Sequence, residues 1–180
     1  MKTIWIALFR GINVGGKNKM QMAPLKAGME SIGCENVQTY IQSGNVVFES
    51  SLKSKKSIQT KLLDTVEEQF GFRSHLILLT KSELLKAIDS NPYADATADP
   101  KSLHFFFLDE SPSDPDLDAI EGLRADSESC LLIDLVFYLH APSGIGRSKV
   151  AAGAERKLGV AATARNFNTV KKLSEMINFG

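Results

Sequence analysis

Apolar residues along this chain follow two periods, one near two residues and one near 3.6, and the two alternate in a repeating order. Thr3 to Phe9 is an unbroken run of buried-strand length. A Gly-rich loop leads from it to Met22, after which Leu25, Met29 and Ile32 share one face of a short helix stopped by Gly33. Val37 to Ile41 and Val46 to Glu49 read as strands. Between them lies Gln42-Ser43-Gly44-Asn45, where Gly44 and Asn45 are expected to supply the positive φ of a tight antiparallel hairpin. Ile58, Leu62, Val66 and Phe70 mark a longer helix ended by Gly71, and His75 to Leu79 forms a further strand. The predicted order is β-α-β-β-α-β.

Thr80-Lys81-Ser82-Glu83 has the spacing of a capping box and opens a helix carrying Leu84, Leu85 and Ile88, which Asn91-Pro92 stops. A polar linker runs to Lys101. Ser102 to Leu108 is then a strand, and Asp114-Pro115 offers a cap and a first-turn proline to a helix with Leu117, Ile120 and Leu123. Cys130 to Ile133 and Leu135 to His140 read as two strands or as one long bent strand, since Ile133-Asp134-Leu135 lacks the usual hairpin residues. Arg147 to Leu158 has helical spacing, Val160 to Ala164 is a short strand, and Thr169 to Ile177 closes the chain as a helix. The fold class predicted is α+β: two ferredoxin-like βαββαβ units in tandem, with antiparallel or mixed sheets, helices packed on one face and a C-terminal helix. The expected division is residues 1–80, a connecting helix and linker at 81–100, and residues 101–180.

Composition narrows this. Apolar residues make up 43% of the 180 and charged residues 23%, the proportions of a chain that buries a core. The apolar run ending at Phe9 is too short for a signal-peptide core or a membrane span, and only Cys34 and Cys130 are present, so a cytoplasmic location is expected. Lys plus Arg and Asp plus Glu number 21 each, which gives no net field to attract nucleic acid or membrane. Their distribution is uneven: residues 95–134 hold eleven acids against two bases, whereas residues 135–180 hold seven bases against two acids.

Gly11-Ile12-Asn13-Val14-Gly15-Gly16-Lys17 matches the first part of a phosphate-binding loop after a strand. The match fails at the next residue, where Asn18 replaces the hydroxyl that would hold Mg²⁺, and Pro24 falls in the second turn of the helix such a loop requires. Phe105 to Asp109 with Glu110 imitates a Walker B strand but equally well ends a strand in an acidic loop. The loop's plain reading is a long turn with solvated lysines. Its sharper reading is an anion site in which Gly15 and Gly16 admit a ligand to backbone amides, Arg10 and Lys17 supply charge and Asn13 reads donors and acceptors. Gly144 to Lys149, with Arg147, Ser148 and Lys149, has the same character ahead of a helix, where Ser143 or Ser148 also suits a simple cap. Arg165 and Asn166 form a third polar group before the last helix. His75, His104 and His140 all fall in strands without metal-ligand spacing; His140, at a strand end, is the acid/base candidate.

Ala7 to Lys19 and Thr39 to Phe48 resemble the bacterial family called domain of unknown function 1697 (DUF1697). Asn91-Pro92-Tyr93, Lys101 to His104, Tyr138-Leu139-His140, Gly144 to Lys149 and Thr163 to Thr169 look like its later motifs. The chain departs from the family pattern at Ile133 to Leu135 and in having Phe167 where a Trp is frequent. The resemblance implies a compact α+β intracellular protein and brings no catalytic assignment or cofactor.

These readings converge on a binding protein or small enzyme for a phosphorylated or anionic ligand. Arg10, Asn13, Lys17, Ser43, Asn45, Arg147, Lys149, Arg165 and Asn166 are its candidate contacts, with no metal. Two alternatives stand beside it. Trp5 and Phe9 on one face of the first strand suit single-stranded nucleic acid, and the acidic stretch 109–128 suits docking on a basic partner.

Overall fold

The structure is a computed structural model that describes residues 2–178; Met1, Phe179 and Gly180, at the outer limits of the expected units, lie outside the described residues. The chain divides into two compact units, one running to Leu85 and resuming at Lys172, the other Lys86–Lys171. Each is a four-stranded antiparallel sheet with helices, in the order β-α-β-β-α-β.

In the first unit β1 (Thr3–Arg10), β2 (Glu35–Tyr40), β3 (Asn45–Ser50) and β4 (His75–Thr80) are arranged β2-β3-β1-β4. The helices α1 (Met22–Ser31) and α2 (Lys55–Phe70) cover one face. Strand alternation sends Trp5, Ala7 and Phe9 of β1 toward Leu25, Met29, Ile58, Leu62 and Val66 of those helices. Ile6 and Leu8 point the other way and are also fully buried. Ser54 caps α2 by accepting from the Ser57 amide, and Gly71 ends it at φ 74°. The predicted capping box is formed at α3 (Lys81–Asp89). The Thr80 amide donates to Glu83 Oε2 at 2.7 Å, and the Glu83 amide to Thr80 Oγ1 at 3.2 Å.

The β2–β3 hairpin corrects one expectation. Positive φ falls on Ile41 (50°) and Gly44 (73°), while Asn45 is the first residue of β3 and fully buried. A β-branched residue at positive φ is an uncommon, costly conformation, and Ile41 holds it while 52% exposed.

In the second unit β5 (Leu103–Leu108), β6 (Ser129–Ile133), β7 (Val136–His140) and β8 (Ala162–Asn166) repeat the arrangement as β6-β7-β5-β8. Phe106, Leu108, Phe137 and Leu139 meet Ile120 of α4 (Leu117–Glu121) and Val150, Ala154 and Leu158 of α5 (Lys149–Leu158). β6 and β7 are separate strands joined by Asp134-Leu135, with Asp134 taking φ 50° where no Gly or Asn was available. The cap of α4 is Asp116 rather than Asp114: its side chain accepts from the Ala119 amide at 3.0 Å and from Lys157 Nζ at 3.1 Å. α5 begins at Lys149, two residues later than its apolar spacing predicts, because residues Ile145–Arg147 form a separate tight turn and Ser148 caps the helix. α6 (Phe167–Met176) follows β8 directly.

Candidate functional site

The loop after β1 takes its shape from asparagines. Asn13 Nδ2 donates to the Met20 carbonyl at 2.9 Å and the Gln42 carbonyl at 2.7 Å, and its Oδ1 accepts from the Met20 amide at 2.8 Å. Asn18 Nδ2 donates to the Gly11 carbonyl at 2.9 Å. Val14-Gly15-Gly16-Lys17 is a tight turn closed by the Lys17 amide on the Val14 carbonyl at 3.1 Å, with positive φ at both glycines. No helix starts after Lys17. α1 opens only at Met22, which puts Pro24 in its first turn, where a missing N–H costs nothing. The amides of a phosphate-binding loop are therefore not assembled here.

The hairpin tip is locked to this loop. Asn45 Nδ2 donates to the Tyr40 carbonyl and to Ser43 Oγ, and the Phe9 amide donates to the Gly44 carbonyl at 2.9 Å. A Cβ on Gly44 would lie 2.5 Å from Ile12 Cδ1 and 2.7 Å from Phe9 Cβ, so the two loops touch through its missing side chain. Of the five residues proposed in this unit, Asn13, Ser43 and Asn45 are bonded within the protein through their side chains, and Arg10 and Lys17 are exposed residues, Arg10 also accepting from Ser74 Oγ at its carbonyl. Trp5 and Phe9, which would have to be a nucleic-acid platform, are 3% and 1% exposed beneath α1 and α2.

The second unit gathers chemistry at one end of its sheet, where β5 and β6 begin and β7 and β8 finish. Register places Leu103 opposite His140 and His140 opposite Ser129. One step inward, Cys130, Leu139, His104 and Asn166 form a continuous row. Partners in such a row share a face, and Leu139 and Cys130 belong to the face covered by α5. The Ala141 amide donates to the Ser102 carbonyl at 2.8 Å and the Gly144 amide to the Ala141 carbonyl at 2.9 Å, which brings the Gly144 to Lys149 loop to this end.

Both α5 and α6 start here, and neither has an acid in its first turn. Ser148 Oγ accepts from the Ala151 amide and Asn166 Oδ1 from the Thr169 amide, both at 3.1 Å. The amides of Lys149 and Val150 have no hydrogen-bond partner among the described residues. Arg147 and Lys149 are exposed. Arg165, on the other face of β8, is half-buried, donates to the Ala164 carbonyl at 2.9 Å, and has its pKa drawn down to about 10 by loss of hydration. It stays cationic at neutral pH.

Around these bases lie residues that sequence reasoning passed over. Tyr93 packs its ring 6.3 Å from that of His140, and burial, then Cys130, push its phenol up to about 12. Burial likewise raises the Cys130 thiol, which keeps it protonated and a poor nucleophile. Arg124 pairs with Glu121 through Nε at 2.7 Å and donates to the Glu128 carbonyl. His104 is 6% exposed, and its Nδ1 has no partner among the described residues. Burial holds its pKa below the ordinary value, opposed by a hydrogen bond with the Ser102 backbone. An orphaned buried polar group of this kind costs about 1 to 3 kcal/mol. The motifs Asn91-Pro92-Tyr93 and Lys101 to His104 were the available signal for Tyr93 and His104.

Several acids of residues 109–134 are held by local bonds, Asp116 with Lys157 and Asp134 with Lys86 at 2.8 Å. The shallow depression lined by residues 114–118 carries three aspartates and suits no anion.

A family model described as a protein of unknown function, DUF1697, matches residues 1–138. The chain belongs to that family. A solved structure of a conserved bacterial protein from Streptococcus pneumoniae is 26% identical, with a TM-score of 0.77 over 99% of this chain and 100% of that one. No curated protein matches the chain. The family match ends before Arg147, Lys149, Arg165 and Asn166, so the basic end of the second sheet lies in the part that only the structural likeness spans. No described helix is long and apolar enough to cross a membrane.

Proposed function

We propose that this protein binds a phosphorylated or otherwise anionic small molecule and that the second unit receives the anionic group. The observation that supports this most is the common origin of α5 and α6 at the sheet end that holds Arg147, Lys149 and Arg165, with no acid in either first turn. A helix start carries about half a positive charge and amides without helical partners, so the start of α5 beside Arg147 and Lys149 makes a favourable place for an anion. The free amides of Lys149 and Val150 supply directed donors as well as charge. Recognition is better provided for than reaction: Cys130 is held as a thiol, and His140 at the end of β7 is a group with acid/base chemistry to offer.

The test is a thermal-shift screen of inorganic phosphate, sugar phosphates and nucleotides, with and without Mg²⁺. Wild type is compared with an Arg147→Ala, Lys149→Ala variant and an Arg10→Ala, Lys17→Ala variant. A ligand at one hundred times its Kd stabilises by about 2.7 kcal/mol. That gain is expected in wild type and in the first-unit variant and is expected to shrink in the second-unit variant. No stabilisation by any compound, or a gain that survives loss of Arg147 and Lys149, contradicts the proposal.

A further inference from the structure

Each sheet ends in two edge strands, and an open edge is a template for pairing with another chain. Three of these edges are guarded. On β4 the Leu76 carbonyl accepts from Gln59 Nε2 at 2.6 Å, and the Thr80 amide donates to Glu83 Oε2. On β8 the Ala162 amide donates to Glu155 Oε1 at 3.0 Å, and Arg165 covers the Ala164 carbonyl. β2 carries a bulge between Glu35 and Gln38, with Asn36 at φ 50° and Glu35 paired with Lys2. β6 has none of these devices. Its residues, Ser129-Cys130-Leu131-Leu132-Ile133, include no charge and no proline and run in unbroken register with β7.

The bonds beside β7 show which groups of β6 face outward. The Leu108 amide bonds the Leu135 carbonyl and the Ala141 amide the Ser102 carbonyl, so the odd-numbered residues of that segment serve β5. Val136, Tyr138 and His140 therefore serve β6, through Ile133, Leu131 and Ser129. The amides and carbonyls of Cys130 and Leu132 point away from the sheet and have no hydrogen-bond partner among the described residues. Leu131, between them and on the opposite face, is 47% exposed.

We propose that β6 pairs with β6 of a second copy of this chain, antiparallel about a two-fold axis at Leu131. Cys130 of each copy then lies opposite Leu132 of the other, and each such pair exchanges both of its N–H···O bonds. The two Leu131 side chains meet across the axis, at the kind of position where paired strands bring side chains closest. The occupant is a second copy because the free donors and acceptors are symmetric about Leu131 and complement themselves, while β6 carries no charge to select a foreign strand. Glu128 and Asp134, which come opposite each other at the ends, are already engaged with the Ala125 amide and with Lys86. One strand per copy falls short of the ~1,600 Å² of a standard interface, so the association is weak. It is independent of the anion-binding reading.

The experiment follows the full chain by sedimentation equilibrium and by amide hydrogen exchange, from about 10 µM to about 1 mM, the range of a weak complex. Wild type is compared with Leu131→Lys, which sets like charges against each other at the axis. Wild type is expected to pass from the mass of one chain toward that of two. Exchange at Cys130 and Leu132 is expected to slow severalfold over that range, while the Leu131 amide, already bonded to β7, changes little. Leu131→Lys is expected to melt near the wild-type temperature and to stay a single chain throughout. A wild type that remains a single chain at about 1 mM overturns the proposal. So does a dimer that persists in Leu131→Lys, or one in which Cys130 and Leu132 exchange at unchanged rates. Should Leu131→Lys not fold, the concentration dependence of exchange in wild type decides.

Discussion

In the first unit the polar residues after β1 face inward: Asn13 joins the loop to Met20 and Gln42, Asn18 closes it on Gly11, and Asn45 fastens the hairpin tip. In the second unit, built on the same strand order, polar groups at a different connection, the one after β7, and on β5 are without partners among the described residues. Lys149 and Val150 keep free amides, Arg147 projects into solvent, and His104 keeps an unbonded nitrogen. The comparison teaches that a loop rich in Gly and Asn is not by itself a ligand site. Where its side chains complete their own backbone's hydrogen bonds, it is scaffold; where donors are left over among bases, it has capacity to bind.

Breaking the scaffold should cost most. Gly44→Ala places a methyl into Ile12 and Phe9 at φ 73°, and a loss of about 3 kcal/mol is expected from overpacking plus left-handed strain, read from denaturant midpoints. A neutral result would mean that the two loops are not locked together. Asn13→Ala, which removes bonds to Met20 and Gln42, is expected to cost about 2 kcal/mol in the same measurement. Anion binding should be untouched in both variants wherever they remain folded.

The pH response sharpens the other side of the comparison. Burial lowers the His104 pKa in the folded state from an ordinary 6.5. The unfolded chain then binds the proton more readily, so the stability tied to the neutral ring is complete above that value and is lost as pH falls from it toward the lowered one. Melting temperatures between pH 7.5 and 5 should therefore fall less in His104→Phe than in wild type; parallel curves would contradict this. The smallest effect is expected of Arg10→Ala with Lys17→Ala. Both side chains are exposed, and stability should stay within about 0.5 kcal/mol of wild type.

Much of the fold was readable because each sheet needs the same alternation of apolar residues, and Trp5 to Phe9 or Leu103 to Leu108 has no other way to be buried. The helix caps at Gly71 and at Thr80 to Glu83 were readable for the same local reason. Turn chemistry misled where the fold overrode residue preference. Positive φ fell on Ile41, a β-branched residue that signals no turn of that kind, and on Asp134, which tolerates it but has no Gly beside it, and the cap of α4 went to Asp116, whose carboxylate Lys157 also holds. The candidate site was half visible. Arg147, Lys149 and Asn166 announce themselves beside helix starts, but His104 lies within an apolar run and reads as core until strand register sets it beside Asn166.

The central claim, that the second unit and not the Gly-rich loop of the first receives an anion, is tested most directly by amide NMR during titration with inorganic phosphate. Saturable shifts centred on the amides of Lys149 and Val150, with Gly15 and Gly16 unmoved, are the predicted result. Shifts centred on Gly15 and Gly16, or none at either place, would contradict it.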